Sequence, residues 1–126
     1  PNLPEAAALL GEPEVRKRED MLRQAKALLG LGASNVYLKG GHFKSDESPD
    51  LLLTPEAEHW LESRRICTKN THGTGCSLSA SIAANKASGI SDIDAAVAAK
   101  RYITKAIAAA DRLQVGHGHG PIYHFQ

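Results

Sequence analysis

Apolar residues recur at helical spacing near both ends of this chain and form short unbroken runs between them. Pro4-Glu5-Ala6-Ala7-Ala8-Leu9-Leu10 has proline at the start and Gly11 just past the end, which predicts a short helix capped by Asn2 or Leu3. A second, longer helix is expected from Pro13 to about Leu29. Val15, Leu22, Ala25 and Leu29 share one face, Arg16, Lys17, Glu19 and Asp20 lie elsewhere, and Gly30 and Gly32 end it. Asn35-Val36-Tyr37-Leu38, set between a helix and Gly40-Gly41, reads as a buried parallel strand. Ser45-Asp46-Glu47-Ser48-Pro49 reads as a polar loop. Asp50-Leu51-Leu52-Leu53-Thr54 and Glu58-His59-Trp60-Leu61-Glu62 then predict a hairpin around a proline-containing turn, running on towards Ile66.

A glycine-bearing loop at residues 69–76 leads into a small-residue helix that ends near Gly89. Asp92 is expected to cap a last helix to about Ala110, with Ile93, Val97, Ile103 and Ile107 on its apolar face. Gly116-His117-Gly118-His119-Gly120-Pro121 reads as a loop. The order of helix, strand, hairpin, helix, helix fits part of an α/β sheet protein.

Composition narrows the classes. At 126 residues, 42 % hydrophobic and 23 % charged, the chain is ordinary globular material. A net charge of +1 argues against a dedicated nucleic-acid or anionic-membrane surface. No apolar run approaches the ~20 residues that span a bilayer, and nothing resembles a signal peptide, so a cytoplasmic location is expected. Cys67 and Cys76 do not make a disulfide framework, and the six histidines lack the spacing of a zinc site. The chain opens Pro1-Asn2-Leu3-Pro4 without an initiator methionine, so we expect a piece of a longer protein.

Three motifs carry candidate chemistry. Lys69-Asn70-Thr71-His72-Gly73-Thr74-Gly75-Cys76 would turn the chain into a helix N-terminus, where unpaired amides and the dipole favour phosphate. Cys76, expected as the first helical residue, would have a lowered pKa there and could act as a base. The bland alternative is a tight turn with a small buried cysteine. Asn2-x-x-Glu5 offers a carboxylate for Mg²⁺, although taken alone it reads first as an N-cap with Glu5 offsetting the helix dipole. Lys39-Gly40-Gly41-His42 puts a lysine at the end of a strand, where α/β proteins bind ligands, although surface lysines before turns are common. Metal carboxylate, phosphate lysine, anion hole and base are together the working parts of phosphoryl transfer.

Thr71-x-Gly73-Thr74-Gly75-Cys76 resembles the ribokinase-type signature, in which the last position is usually Asp. With Cys there, Asn-Thr-His-Gly-Thr-Gly-Cys is similar to the hydroxymethylpyrimidine/phosphomethylpyrimidine kinases of thiamine biosynthesis. Residues 1–6, 39–42 and 116–121 agree with that family. The resemblance implies an α/β chain forming the C-terminal, nucleotide-binding half of a ribokinase-like three-layer α/β/α domain, its N-terminal part absent. It implies Cys76 as catalytic base, Gly73, Thr74, Gly75 and Cys76 as the anion hole, and Glu5 with Asn2 at Mg²⁺ and the ATP phosphates. Lys39 matches a phosphate contact and Thr71 the nucleotide pocket. The implied reaction is ATP-dependent phosphorylation of 4-amino-5-hydroxymethyl-2-methylpyrimidine and then of its monophosphate. The implied partners are that small substrate and ATP, a second copy in a full-length homodimer, and the missing N-terminal part as a separate chain. The alternatives are a pyridoxal or pyridoxine kinase and an inactive nucleotide-binding fragment. His117 and His119 are read as structural, capping the last helix.

Overall fold

The first helix, α1 (Leu3–Leu10), is set by its cap. Asn2 is extended, its Oδ1 accepts the Glu5 N–H at 2.8 Å, and Glu5 Oε2 accepts the Asn2 N–H at 2.7 Å. This reciprocal box satisfies two amides that a helix start leaves unpaired. Leu3, Ala6 and Ala7 are the residues that α1 buries. The computed structural model describes residues 1–43 and 46–126. Ser45, the start of the expected polar loop, lies outside the described residues.

The second helix is shorter than its pattern suggested: α2 runs Arg18–Leu29, not from Pro13. A helix from Pro13 would carry it about 16 Å along the axis from Gln24, at ~1.5 Å per residue. Instead Gln24 Nε2 donates to the Pro13 carbonyl at 3.2 Å, and Arg23 pairs with Glu12 at 2.8 Å. The segment before α2 thus folds back along the helix. Val15 is buried from this segment, while α2 itself buries Met21, Gln24, Ala25 and Leu28.

Strands β1 (Val36–Lys39), β2 (Asp50–Leu53) and β3 (Glu58–Leu61) form one sheet in that order, with both pairs antiparallel. The hairpin is as expected. The parallel reading of the first strand is corrected: Val36 faces Leu53 and Leu38 faces Leu51 across an antiparallel ladder. A short apolar run encodes burial, not strand direction; here the connection from Lys39 to Asp50 simply brings the chain back. Parallel pairing of β1 is confined, among the described residues, to one bridge between Asn2 and Lys39, where the Lys39 N–H donates to the Pro1 carbonyl at 2.9 Å. Val36, Leu38, Leu51 and Leu53 line the sheet face whose core includes Leu3, Ala6, Met21, Ala25 and Leu28.

These elements make up one compact unit, Pro1–Arg65; the second is Ile66–Gln126. In the second, α3 (Thr74–Ala87) packs on α4 (Asp92–Ala108), and a 3₁₀ turn (Ala110–Arg112) follows. The cap of α4 is Ser91, whose Oγ accepts the Asp94 N–H at 3.1 Å, so Asp92 is the first helical residue rather than the cap. The expected apolar face holds at Ile103 but shifts around it. Ile93 and Val97 are 39 % and 38 % exposed, whereas Ala95, Ala96, Ala99, Ile103 and Ala106 are buried. Residues 95, 99, 103 and 106 fall at i, i+4, i+8 and i+11, one stripe whose small side chains permit close helix approach.

Candidate functional site

The sequence-derived candidates divide between the two units: Asn2, Glu5 and Lys39 belong to the first, Thr71 and residues 73–76 to the second.

In the first unit the Asn2–Lys39 bridge brings the helix cap beside the end of β1. The Asn2 N–H holds the Glu5 carboxyl below the usual carboxylate range, and Lys39 and His42 add to the effect against partial desolvation. The bland reading of Glu5 as a capping residue is therefore realised, and its carboxylate also sits among cations. Past Lys39 the chain is clamped from two sides. Asp50, 5 % exposed, accepts the Gly40 N–H at 3.0 Å and the Tyr37 hydroxyl at 2.8 Å. Burial first, then the Asp50 charge, pushes the Tyr37 hydroxyl far above its ordinary range, so it stays a donor. From the other side Arg65 donates to the Gly41 carbonyl at 2.9 Å and to the Phe43 carbonyl. Gly40 is required by close approach: a Cβ there would lie 1.9 Å from the Pro49 carbonyl oxygen. Lys39 thus leaves a fixed turn rather than a loose loop.

The sequence reading missed Asp50 and Arg65. The one visible signal was an acidic residue opening the apolar run Leu51-Leu52-Leu53. A cleft of about 360 Å³ opens beside His42 and Phe43, but Asn2, Glu5 and Lys39 are absent from its lining.

In the second unit Gly73 is the N-cap of α3, with φ +83°, in the left-handed region that glycine accepts without strain. Helix α3 starts at Thr74, so Cys76 is its third residue and not its first. Thr74 donates to the Thr71 carbonyl through both its hydroxyl (2.6 Å) and its N–H (3.3 Å), which closes the turn. The first α-helical bond runs from Ser77 N–H to Gly73 carbonyl, at 2.9 Å. The Gly75 and Cys76 amides have no backbone acceptor among the described residues and stand at the positive end of a 14-residue helix. That end is suited to an anion. Cys76 is exposed and free, as is Cys67. The tail pairs with this loop: His72 bridges Pro121, and His119 Nδ1 donates to the Lys69 carbonyl at 3.2 Å. His119 thus ties the tail to the loop, and among the described residues it makes no bond to the end of α4.

Among the described residues no three His, Cys, Asp or Glu side chains are grouped to hold a metal. One exposed carboxylate is nonetheless a fitting donor set for Mg²⁺, which keeps its waters and takes one or two carboxylates with substrate phosphates. Glu5 is such a carboxylate. No described helix is long and apolar enough to cross a membrane.

The mixed α/β chain, with a glycine-capped helix start that carries an exposed thiol, has the fold of about half of a ribokinase-like kinase. The chain matches the phosphomethylpyrimidine kinase family over residues 1–123, and it belongs to that family of kinases. It is 50 % identical over 125 residues to the hydroxymethylpyrimidine/phosphomethylpyrimidine kinase of Escherichia coli, covering 99 % of this chain and 47 % of that protein. Its fold superposes on an ADP complex of Bacillus subtilis pyridoxal kinase with a TM-score of 0.91 and 38 % identity, covering 98 % of this chain and 48 % of the other. A Staphylococcus aureus pyridoxal kinase in complex with AMP-PCP and pyridoxal gives a TM-score of 0.92 at 31 % identity, covering 98 % and 46 %. The chain spans about half the length of each of these relatives.

Proposed function

We propose that the intact protein transfers the γ-phosphoryl group of ATP to the hydroxymethyl group of 4-amino-5-hydroxymethyl-2-methylpyrimidine and then to the resulting monophosphate. This chain is the C-terminal half and supplies the nucleotide side and the base. The observation that carries the reading is the start of α3: a left-handed Gly73 cap, Gly75 and Cys76 amides without a backbone acceptor among the described residues, and an exposed Cys76 thiol in the first turn. In the first transfer the Cys76 sulfur takes the hydroxyl proton. The substrate oxygen bonds to the γ-phosphorus, the bond to the β–γ bridging oxygen breaks, and ADP leaves. The 73–76 amides meet the charge on the moving phosphoryl oxygens, and Lys39 meets the ATP phosphates. Mg²⁺, when bound near Glu5, neutralises phosphate charge. Asn2 holds Glu5 for that task, and Thr71 borders the nucleotide.

Replacing Cys76 with alanine in the intact protein tests this. Turnover of the hydroxymethyl substrate should fall by about 10²- to 10⁴-fold, the usual worth of a positioned base, with ATP binding largely kept. Transfer to the monophosphate should fall less, because its acceptor oxygen is already ionised near neutral pH. Near-normal turnover of the hydroxymethyl compound would sink the base assignment.

A pyridoxal kinase is the second reading, favoured by the close superposition on solved pyridoxal kinases. Comparing kcat/KM for the hydroxymethylpyrimidine and for pyridoxal decides between them.

A further inference from the structure

Just before the anion hole, Asn70 is only 7 % exposed, and both hydrogens of its side-chain amide are used. Nδ2 donates to the Ala110 carbonyl at 3.3 Å and to Asp111 Oδ1 at 3.1 Å. The same Asp111 oxygen takes the Thr68 hydroxyl, and Thr68 Oγ1 accepts the Asn70 N–H at 3.1 Å. The Asn70 side chain then lies flat against the tail: a Cβ on Gly120 would come within 2.2 Å of Asn70 Oδ1 and 2.8 Å of its Cγ. Beyond that contact the backbones are stitched together. His72 N–H donates to the Gly120 carbonyl at 3.1 Å and Ile122 N–H to the His72 carbonyl at 3.4 Å. Ile122 is 1 % exposed, and Tyr123 N–H donates to the Ala106 carbonyl of α4 at 3.0 Å. The loop that delivers Gly73 is therefore registered against the end of α4 and the tail by the Asn70 amide, the Thr68 hydroxyl and the backbone pairing beside Gly120, with Asn70 and Gly120 in the tightest contact.

We propose that Asn70, gripped by Asp111 and seated on Gly120, is a positioning residue for phosphoryl transfer. It sets residues 71–76 so that the Gly75 and Cys76 amides and the Cys76 sulfur meet one phosphoryl group. The inference rests on the functional reading above, and its chemistry is geometric. A displacement near 1 Å at a transfer site can cost up to ~10²-fold in rate, far more than it changes ground-state binding. Neither Asn70 nor Asp111 needs to touch substrate for this effect.

The test is a cycle of variants in the intact protein. Asn70→Ala and Gly120→Ala should each lower kcat by about 10- to 100-fold with the KM for ATP moving less than about threefold. The double variant should be no worse than Asn70→Ala alone, because the added methyl then fills the space the amide vacated. Asp111→Asn retains an Oδ1 acceptor and should keep most of the activity that Asp111→Ala loses. A second readout is independent of catalysis: the alkylation rate of Cys76 by iodoacetamide, in a Cys67→Ser background, should change in Gly120→Ala and revert towards the parent rate in the double variant. Additive losses in the cycle, or a folded Gly120→Ala protein with parental kcat and parental alkylation rate, would overturn the proposal. Normal turnover by Cys76→Ala alongside altered alkylation in the Asn70 and Gly120 variants would instead remove the base assignment and leave the positioning role standing.

Discussion

Replacing Gly40 with alanine should destabilise the protein by about 3–5 kcal/mol, whereas the same change one residue later should be nearly silent. A Cβ on Gly40 would sit 1.9 Å from the Pro49 carbonyl oxygen, 3.1 Å from its carbon and 3.3 Å from Phe43 Cε2. Real Cβ contacts essentially never fall under 3.0 Å, so two backbone segments must part by about 1.1 Å. No flexible side-chain tip can absorb that shift. Overpacking of this kind costs about 1–3 kcal/mol. The same displacement stretches the Gly40 N–H bond to the buried Asp50 carboxylate, 3.0 Å long at present, past useful range. A hydrogen bond to a charged partner is worth about 1.5–3 kcal/mol. On Gly41, by contrast, a Cβ meets, among the described residues, only Ser48 Oγ at 3.5 Å, an ordinary contact, and the cost should stay under about 1 kcal/mol. Urea unfolding of the intact protein, comparing midpoints at constant slope, reads the difference directly. If Gly40→Ala and Gly41→Ala prove equally mild, the Gly40–Pro49 approach is not the constraint described here, and Lys39 does not issue from a rigid turn.

Other consequences follow from individual contacts. Glu5 has a depressed folded pKa, so the stability it contributes is present above the ordinary carboxylate value and is lost as pH falls through its lowered one. Glu5→Gln should therefore cost about 0.5–1 kcal/mol near pH 7, and the cost should shrink as pH falls below the usual carboxylate range in urea midpoints; a gap that widens on acidification would contradict the capping box. Arg18 grips Glu62 with both nitrogens (2.6 and 2.7 Å), reaches Glu47 at 3.0 Å and lies 5.2 Å from the Trp60 ring centre. Since these groups are well exposed, Arg18→Ala should cost only about 1 kcal/mol, less in high salt, and Arg18→Lys should not restore it fully. On α4, Ala99→Leu should destabilise by about 1–3 kcal/mol in thermal or urea melts, while Val97→Ala should stay within about 0.5 kcal/mol. The reverse order would mean that the branched residues, and not the alanines, form the packed face.

Much of the local structure could be read from short-range chemistry. Asn2 and Glu5 three positions apart before an alanine run specify a capped helix whatever surrounds it, and the box forms. Two apolar runs around a proline turn specify the hairpin of β2 and β3. Glycine before threonine, with small residues after, specifies a helix start near Cys76, although the true start at Thr74 depended on Gly73 taking a left-handed φ. The family, too, was legible, because its signature lies in contiguous residues whose backbone geometry is local.

What the tertiary structure alone decided lies at long sequence separation. An apolar run is equally buried in a parallel or an antiparallel ladder, so only the return of the chain at Asp50 settled the direction of β1. The stretch from Glu14 to Lys17 has good helical spacing and yet is not helix, because Glu12 and Pro13 bind side chains in the middle of α2. Alanine faces carry a weak apolar signal, so the packed stripe of α4 was hidden behind its branched neighbours. The supports of the site are the clearest case. Arg65 reaches back 24 residues to the Gly41 carbonyl, and Asn70 reaches forward 41 residues to Asp111. The sequence by itself determined which residues can do chemistry, since that depends on side-chain type and the nearest few bonds. The fold decided which of them are held still, since that depends on partners that only folding brings within hydrogen-bond reach.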